Sequence, residues 1–118
     1  MKEFTIEMDG KETLAKFKDP PYSFRAAWMS YAAQKSKEIK AAGGEKAMED
    51  NPELGIASVR DLENKRNGFL IDLCTNGAIK TPSDFDKISN VSVRQMWDWL
   101  DECLGLKVKE ADKNFSKA

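Results

Sequence analysis

The chain has 118 residues and a net charge of −1, with 19 basic residues against 20 acidic ones. This balance disfavours a nucleic-acid-binding protein, which usually carries a basic excess. The absence of histidine removes the most frequent general base and metal ligand, so we expect neither a metal nor a cofactor. The length predicts one small domain, which we place over residues 1–106.

No apolar run approaches the ~20 residues that a membrane-spanning helix requires. The N-terminus also lacks the apolar core of a signal peptide, so we expect a cytoplasmic protein. In that compartment the thiols of Cys74 and Cys103 should be reduced and packed among apolar residues. A disulfide between them is the less favoured alternative.

The first predicted element is a β-hairpin over residues 3–18. Ile6 and Met8 alternate with polar residues, which is the period of a half-buried strand. Asp9 and Gly10 then form a favoured hairpin turn, since glycine tolerates a positive φ. Asp19 and two prolines follow the return strand and end the hairpin.

The next predicted element is a helix over residues 22–42, with Ser23 as its cap. Trp28 and Tyr31 lie on its apolar stripe. Two glycines end this helix, and residues 43–55 contain a third glycine, a proline and several acidic residues. We interpret that segment as a mobile loop.

Three further helices are predicted, over residues 57–76, 82–89 and 92–104. Ser92 and Gln95 have the spacing of a capping box at the start of the last helix. Residues 107–118 show little periodicity and are predicted to be a flexible tail. The fold class is therefore α+β and mainly helical, with an N-terminal β-hairpin packed against three to four helices.

Several aromatic and apolar side chains are candidates for protein binding. Trp97 and Trp99 point ~200° apart on a helix, so we expect Trp97 in the core and Trp99 outside it. Trp99 then either packs against the hairpin or the tail, or serves as a binding anchor. Trp28 and Tyr31 carry the same ambiguity, with the core favoured. The candidate protein-binding set is Trp28, Tyr31, Trp97, Trp99, Ile6 and Met8.

Two other patterns in the sequence have residue types found in catalytic or phosphate-binding sites. Asp98, Asp101 and Glu102 could supply an acid and a base, but a solvated helix face explains them better, because nothing in the sequence suggests a sugar-binding cleft or a metal partner. Gly43 and Gly44 lack the preceding strand and the Lys-Ser/Thr pair of a phosphate-binding loop. We therefore expect no catalytic residues and a protein that is not an enzyme.

The order of elements resembles one protein family. The hairpin contains Phe-x-Ile-x-Met-Asp-Gly-Lys at residues 4–11, and the long helix ends in Phe-Leu-Ile-Asp-Leu-Cys-Thr-Asn-Gly at residues 69–77. A Pro-Ser-Asp-Phe segment then leads into a terminal amphipathic helix. Over residues 1–106 this looks like the tail assembly chaperones of long-tailed bacteriophages and their prophages.

The resemblance implies a non-enzymatic protein of the host cytoplasm. Such chaperones keep the very long tape-measure protein soluble and help tail-tube subunits polymerise around it, so both proteins are expected partners. Members of the family are small, mostly helical and prone to oligomerise. We also expect self-association from this sequence, through the hairpin edge, exposed apolar helix faces, or both.

Other functions remain open at this point. A different small phage or prophage interaction protein, such as a head–tail connector component, would have a similar composition, as would a bacterial adaptor. A DNA-binding regulator would need residues 91–105 as its recognition helix. The three acidic residues of that segment, against the single Arg94, would repel phosphates.

Overall fold

The computed structural model describes residues 1–106 and has the predicted fold class. It is α+β and mainly helical, with an N-terminal hairpin packed against several helices. The elements are β1 (Lys2–Met8), β2 (Lys11–Phe17), α1 (Tyr22–Ala41), α2 (Glu45–Asp50), α3 (Pro52–Leu73), a 3₁₀ helix (Pro82–Lys87) and α4 (Asn90–Cys103). The tail predicted over residues 107–118 lies outside the described residues. Within the described part, no helix is long and apolar enough to cross a membrane.

The hairpin lies where the alternating pattern predicted it. Its strands pair antiparallel around Asp9 and Gly10, whose φ values of 52° and 76° match a turn that follows the twist of the strands. Ile6, Ala15 and Phe17 are fully buried on its inner face. A two-stranded sheet is marginal alone, so this packing against the helices is what stabilises it.

The outer edge of β1 is covered by the start of α4. Glu7 donates its backbone N–H to the Ser92 hydroxyl at 3.1 Å and accepts from the Ser89 N–H at 2.8 Å. Asp9 donates its N–H to the Lys87 carbonyl at 2.8 Å. The turn half of this edge is thus hydrogen-bonded within the chain and is not available for pairing with another strand.

The outer edge of β2 is covered by the residues that follow α3. The Thr75 N–H donates to the Lys16 carbonyl at 2.8 Å. The Asn76 side chain donates to the Leu14 carbonyl at 2.7 Å and accepts from the Lys16 N–H at 3.3 Å. The part of the β2 edge that forms these hydrogen bonds cannot pair with a strand of another chain. Less of the hairpin edge is therefore free for the self-association that the sequence suggested.

The first helix begins at Tyr22, as predicted, but has a different cap residue. Pro21 is its N-terminal cap residue, with an extended backbone and no side-chain hydrogen bond, so the capping role predicted for Ser23 is wrong. Phe24 stacks on Phe69 of α3 with ring centroids 4.9 Å apart, and Trp28 is buried beside them. These rings attach the first half of α1 to the core.

The loop predicted over residues 43–55 is instead largely helical. Gly43 and Gly44 adopt positive φ values of 118° and 70° and reverse the chain. The helix α2 follows at once, and α3 then begins at Pro52, a residue that needs no backbone donor in a first turn. Gly55 allows the Met48 side chain to lie 3.1 Å from the place of a β-carbon, which brings α2 close to α3.

The remaining helices also differ from their predicted bounds. Helix α3 ends at Leu73 rather than at 76, because Cys74 becomes extended and forms a β-bridge with Phe17. The short helix is a 3₁₀ helix that ends at Lys87, and the Asp84 carboxylate accepts from backbone N–H groups at its start.

Helix α4 begins two residues earlier than predicted. Ser89, not Ser92, is its cap, and it accepts from the Ser92 N–H at 3.3 Å. The capping box predicted from Ser92 and Gln95 is therefore wrong, because the buried Ser92 hydroxyl is held by Ser89 and by Glu7 of the hairpin.

The buried core is confined to one part of the molecule. It includes the inner face of the hairpin and buried residues of the C-terminal part of α3 and of α4, together with Trp28, Ile79, Phe85 and Ile88. No residue from 29 to 68 is buried. We call residues 29–68 the helical arm: the rest of α1, α2 and most of α3, which pack together without a core of their own.

Candidate protein-binding site

Two of the candidate binding residues are part of the hairpin packing. Ile6 has no exposed surface, and Met8 is half-buried and forms a β-bridge with Ile88. In the isolated chain neither residue offers an exposed apolar side chain to a partner. Their alternation in the sequence indicates the inner face of the hairpin.

Trp99 packs against the hairpin, which is one of the alternatives left open by the sequence. Its ring lies 6.0 Å from that of Phe4 and 5.7 Å from that of Phe17, measured between centroids. Phe4 and Phe17 also contact one another edge to face. The three rings form a cluster that attaches α4 to the strands.

Trp97 is half-buried on the opposite flank of α4, so the prediction that only Trp97 points inward is wrong. The buried line of α4 runs through Met96 and Leu100, both fully buried. Position 97 lies ~100° to one side of Met96, and position 99 lies ~60° to the other. Each tryptophan therefore has one face on the protein. The Trp97 indole N–H donates to the Asn67 side chain at 2.8 Å.

The two aromatic candidates of α1 face α3. Trp28 is 6% exposed, as expected for a core residue. Tyr31 is half-buried, with its hydroxyl 3.4 Å from the Asp61 carbonyl and the Lys65 ammonium 5.2 Å from its ring. Both side chains hold α1 against α3.

The helical arm carries a groove along α3, made of clefts that share residues. The first cleft, about 560 Å³, lies between α2 and α3 and includes Met48, Pro52, Gly55, Ile56 and Val59. The second, about 310 Å³, lies between α3 and α4 and includes Val59, Leu62 and Trp97. The third, about 420 Å³, lies between α1 and α3 and includes Trp28, Ala32, Ile39 and Leu62. Because Val59 and Leu62 each line two clefts, the clefts adjoin. We call them together the arm groove.

The floor of the arm groove is apolar and exposed. Ile56 is 58% exposed and Val59 is 55% exposed, although both lie on an otherwise highly charged helix. The helix predicted over residues 57–76 left Ile56 outside it. The missed signal is the spacing of Ile56, Val59 and Leu62, which extends the apolar stripe of α3 toward its N-terminus.

Ion pairs connect the neighbouring helices at the inner end of the groove. Arg66 of α3 binds Asp101 of α4 through two nitrogens, at 3.1 and 3.3 Å, and its guanidinium lies 4.6 Å from the centre of the Trp28 ring. Lys35 of α1 binds Asp61 of α3 at 2.6 Å. Hydrogen bonds to Asp61, and then to Glu38, raise the pKa of Lys35 well above its usual value. The three helices thus hold their relative positions before any partner binds.

Within residues 1–106, no three cysteine or acidic side chains converge in a way that could hold a metal ion. Both Cys74 and Cys103 are free thiols. What the arm groove does combine is an apolar floor, an aromatic wall at Trp97 and charged residues at its rim. That combination suits the apolar face of an amphipathic helix.

Comparisons of the chain with profiles of protein families, with curated proteins and with solved structures found no match. Function has to be inferred from the geometry of the molecule and from the order of its elements. The arm groove is a described surface where two exposed apolar side chains, Ile56 and Val59, line a preformed concavity.

Proposed function

We propose that this chain is a non-enzymatic assembly chaperone of the type used by long-tailed phages, and that its arm groove binds helical segments of a client. The observation that carries the proposal is the exposure of Ile56 and Val59 on the floor of a groove between helices. Exposed apolar residues along a groove between helices form the kind of surface that binds the apolar face of an amphipathic helix.

The expected client is the tape-measure protein, with the tail-tube protein as the second partner. Long helical proteins present apolar residues at spacings of three and four, and these stripes associate with one another when nothing covers them. A client helix lying in the arm groove would place such a stripe on Ile56, Val59 and Leu62. Trp97 would contact it from the side of α4.

Reversible binding is what a chaperone of this kind requires. Fully burying one Val or Ile side chain stabilises a complex by roughly 1.5–3 kcal/mol, and about half of each floor residue is already covered. The floor then contributes a few kcal/mol before the entropy of association is subtracted. This favours a complex that forms and releases over one that is permanent. If the protein is phage-encoded, it acts in the host cytoplasm.

The test is co-expression with a fragment of the tape-measure candidate encoded next to this gene, which should be a very long helical coding region. We expect the fragment to be soluble with the wild-type chain and to co-elute with it. Val59→Glu should abolish both effects, because it places a charge on the groove floor.

Val91→Glu is the matched control. Val91 is 67% exposed, lies on the first turn of α4 and is outside the arm. Its substitution should leave the solubility of the fragment unchanged. A wild-type chain that leaves the fragment insoluble, or equal effects of both variants, would contradict the proposal.

A further inference from the structure

The tip of the helical arm carries exposed basic side chains near the end of α1 and exposed, mostly acidic side chains on α2 and at the start of α3. Lys37 and Lys40 are exposed near the end of α1. Glu49 and Asp50 of α2 are exposed, as is Glu53 in the first turn of α3. Within residues 1–106 none of these five side chains forms an ion pair or a hydrogen bond. The charges therefore remain available to another molecule.

Apolar surface lies next to these charges. Met48 of α2 is half-buried and reaches across Gly55, and Ile56 is exposed beside it in the cleft between α2 and α3. No residue of the arm is buried, so the arm has no core of its own against which Met48 and Ile56 could pack. A partner at the tip would cover apolar atoms and neutralise both sets of charges in one contact.

We propose that this partner is a second copy of the chain. In a two-fold arrangement, the Lys37 and Lys40 face of one arm lies against the Glu49 and Asp50 face of the other, and the same contact occurs a second time by symmetry. A contact of this kind closes on itself and gives a dimer rather than a filament. The inference rests on the charges and apolar surface of the arm and does not depend on the identity of the client.

Charge decides the orientation of this dimer more than its strength. Exposed ion pairs contribute little individually and are screened by salt, so the apolar surface around Ile56 has to supply the attraction. The charges determine which faces meet, because a parallel arrangement of the arms would place lysines against lysines. Since Ile56 also lines the arm groove, the dimer and a bound client helix would compete for it.

Two charge-reversal variants test the proposal by sedimentation velocity. Lys37→Glu/Lys40→Glu makes both faces of the tip acidic, whereas Glu49→Lys/Asp50→Lys makes both basic. Between ~10 µM and ~1 mM we expect the wild type to dimerise, and each variant alone to associate at least about tenfold more weakly. An equimolar mixture of the two should recover the wild-type dimer, since each acidic face then meets a basic one.

The control is Lys11→Glu/Lys18→Glu, which changes the net charge equally on exposed hairpin positions outside the arm and should dimerise normally. Helical circular dichroism reports whether each variant is folded. The salt dependence of the wild type provides a test without mutation, and the dimer should weaken as salt rises. A wild type that stays monomeric, a dimer insensitive to salt, or folded variants that fail to pair when mixed would overturn the proposal. Loss of client binding with an intact dimer would overturn only the proposed function.

Discussion

Replacing Trp99 by alanine should destabilise the protein more than replacing Trp97, which reverses the order expected from the sequence. Trp99 contacts the rings of Phe4 and Phe17 at 6.0 and 5.7 Å. Each aromatic pair contributes roughly 0.5–1.5 kcal/mol beyond the apolar area that it buries. With the cavity left behind, we expect Trp99→Ala to lower the free energy of unfolding by ~3 kcal/mol or somewhat more.

Trp97 provides the internal comparison on the same helix. Its half-buried indole makes one hydrogen bond, to Asn67, and a single bond of this kind contributes about 1 kcal/mol. Including its partial burial, Trp97→Ala should cost roughly 1–2 kcal/mol. Because Trp97 lines the arm groove, the same change should weaken client binding more than Trp99→Ala does in folded protein.

Urea titrations and thermal melts followed by circular dichroism measure both variants without relying on tryptophan fluorescence. A loss of ~3 kcal/mol corresponds to a fall in Tm of roughly 10–15 °C for a domain of this size. If Trp97→Ala lowers Tm more than Trp99→Ala does, the assignment of Trp99 to the hairpin cluster is wrong.

Three further predictions concern contacts outside that cluster. Arg66→Met removes the paired hydrogen bonds to Asp101, so it should lower the free energy of unfolding by ~1–3 kcal/mol. Urea titrations measure this loss. An unchanged free energy of unfolding would show that this ion pair does not hold α3 to α4. Asn76→Ala uncovers the edge of β2, so light scattering should show faster aggregation than for Asn64→Ala, and equal rates would contradict the protective role of that edge. Two backbone N–H groups lower the pKa of Asp84, so its contribution to stability is complete above the usual carboxyl range and is lost as pH falls through the lowered pKa. Melts of Asp84→Asn should therefore depend less on acid pH than those of the wild type, and parallel curves would refute this.

The elements predicted correctly from the sequence are those that depend on neighbouring residues. The period of two through Ile6 and Met8, followed by a turn that needs positive φ, places the hairpin without reference to the rest of the chain. The long run of α1, ended by glycine, is equally local. The fold class follows from these signals together with the later helical stripes.

Local sequence signals have two interpretations in two places, residues 43–55 and the start of α4. Glycine and proline indicate a loop, but Pro52 also suits the first turn of a helix, and Gly44 also suits the turn before one. Ser89 and Ser92 are both possible caps. Only the hairpin decides between them, because Glu7 lies close enough to bind the Ser92 hydroxyl.

The candidate site depended most on tertiary structure. The sequence determined that Trp97, Val59 and Ile56 are large and apolar, and helical spacing determined which of them share a face. It did not determine which of these faces would be covered. Residues near the hairpin, such as Trp99, gain a neighbouring element to pack against, whereas Ile56 and Val59 lie on an arm where no element of the described chain covers them. Burial is a property of the whole arrangement of elements, and for that reason the arm groove became visible only in the folded structure.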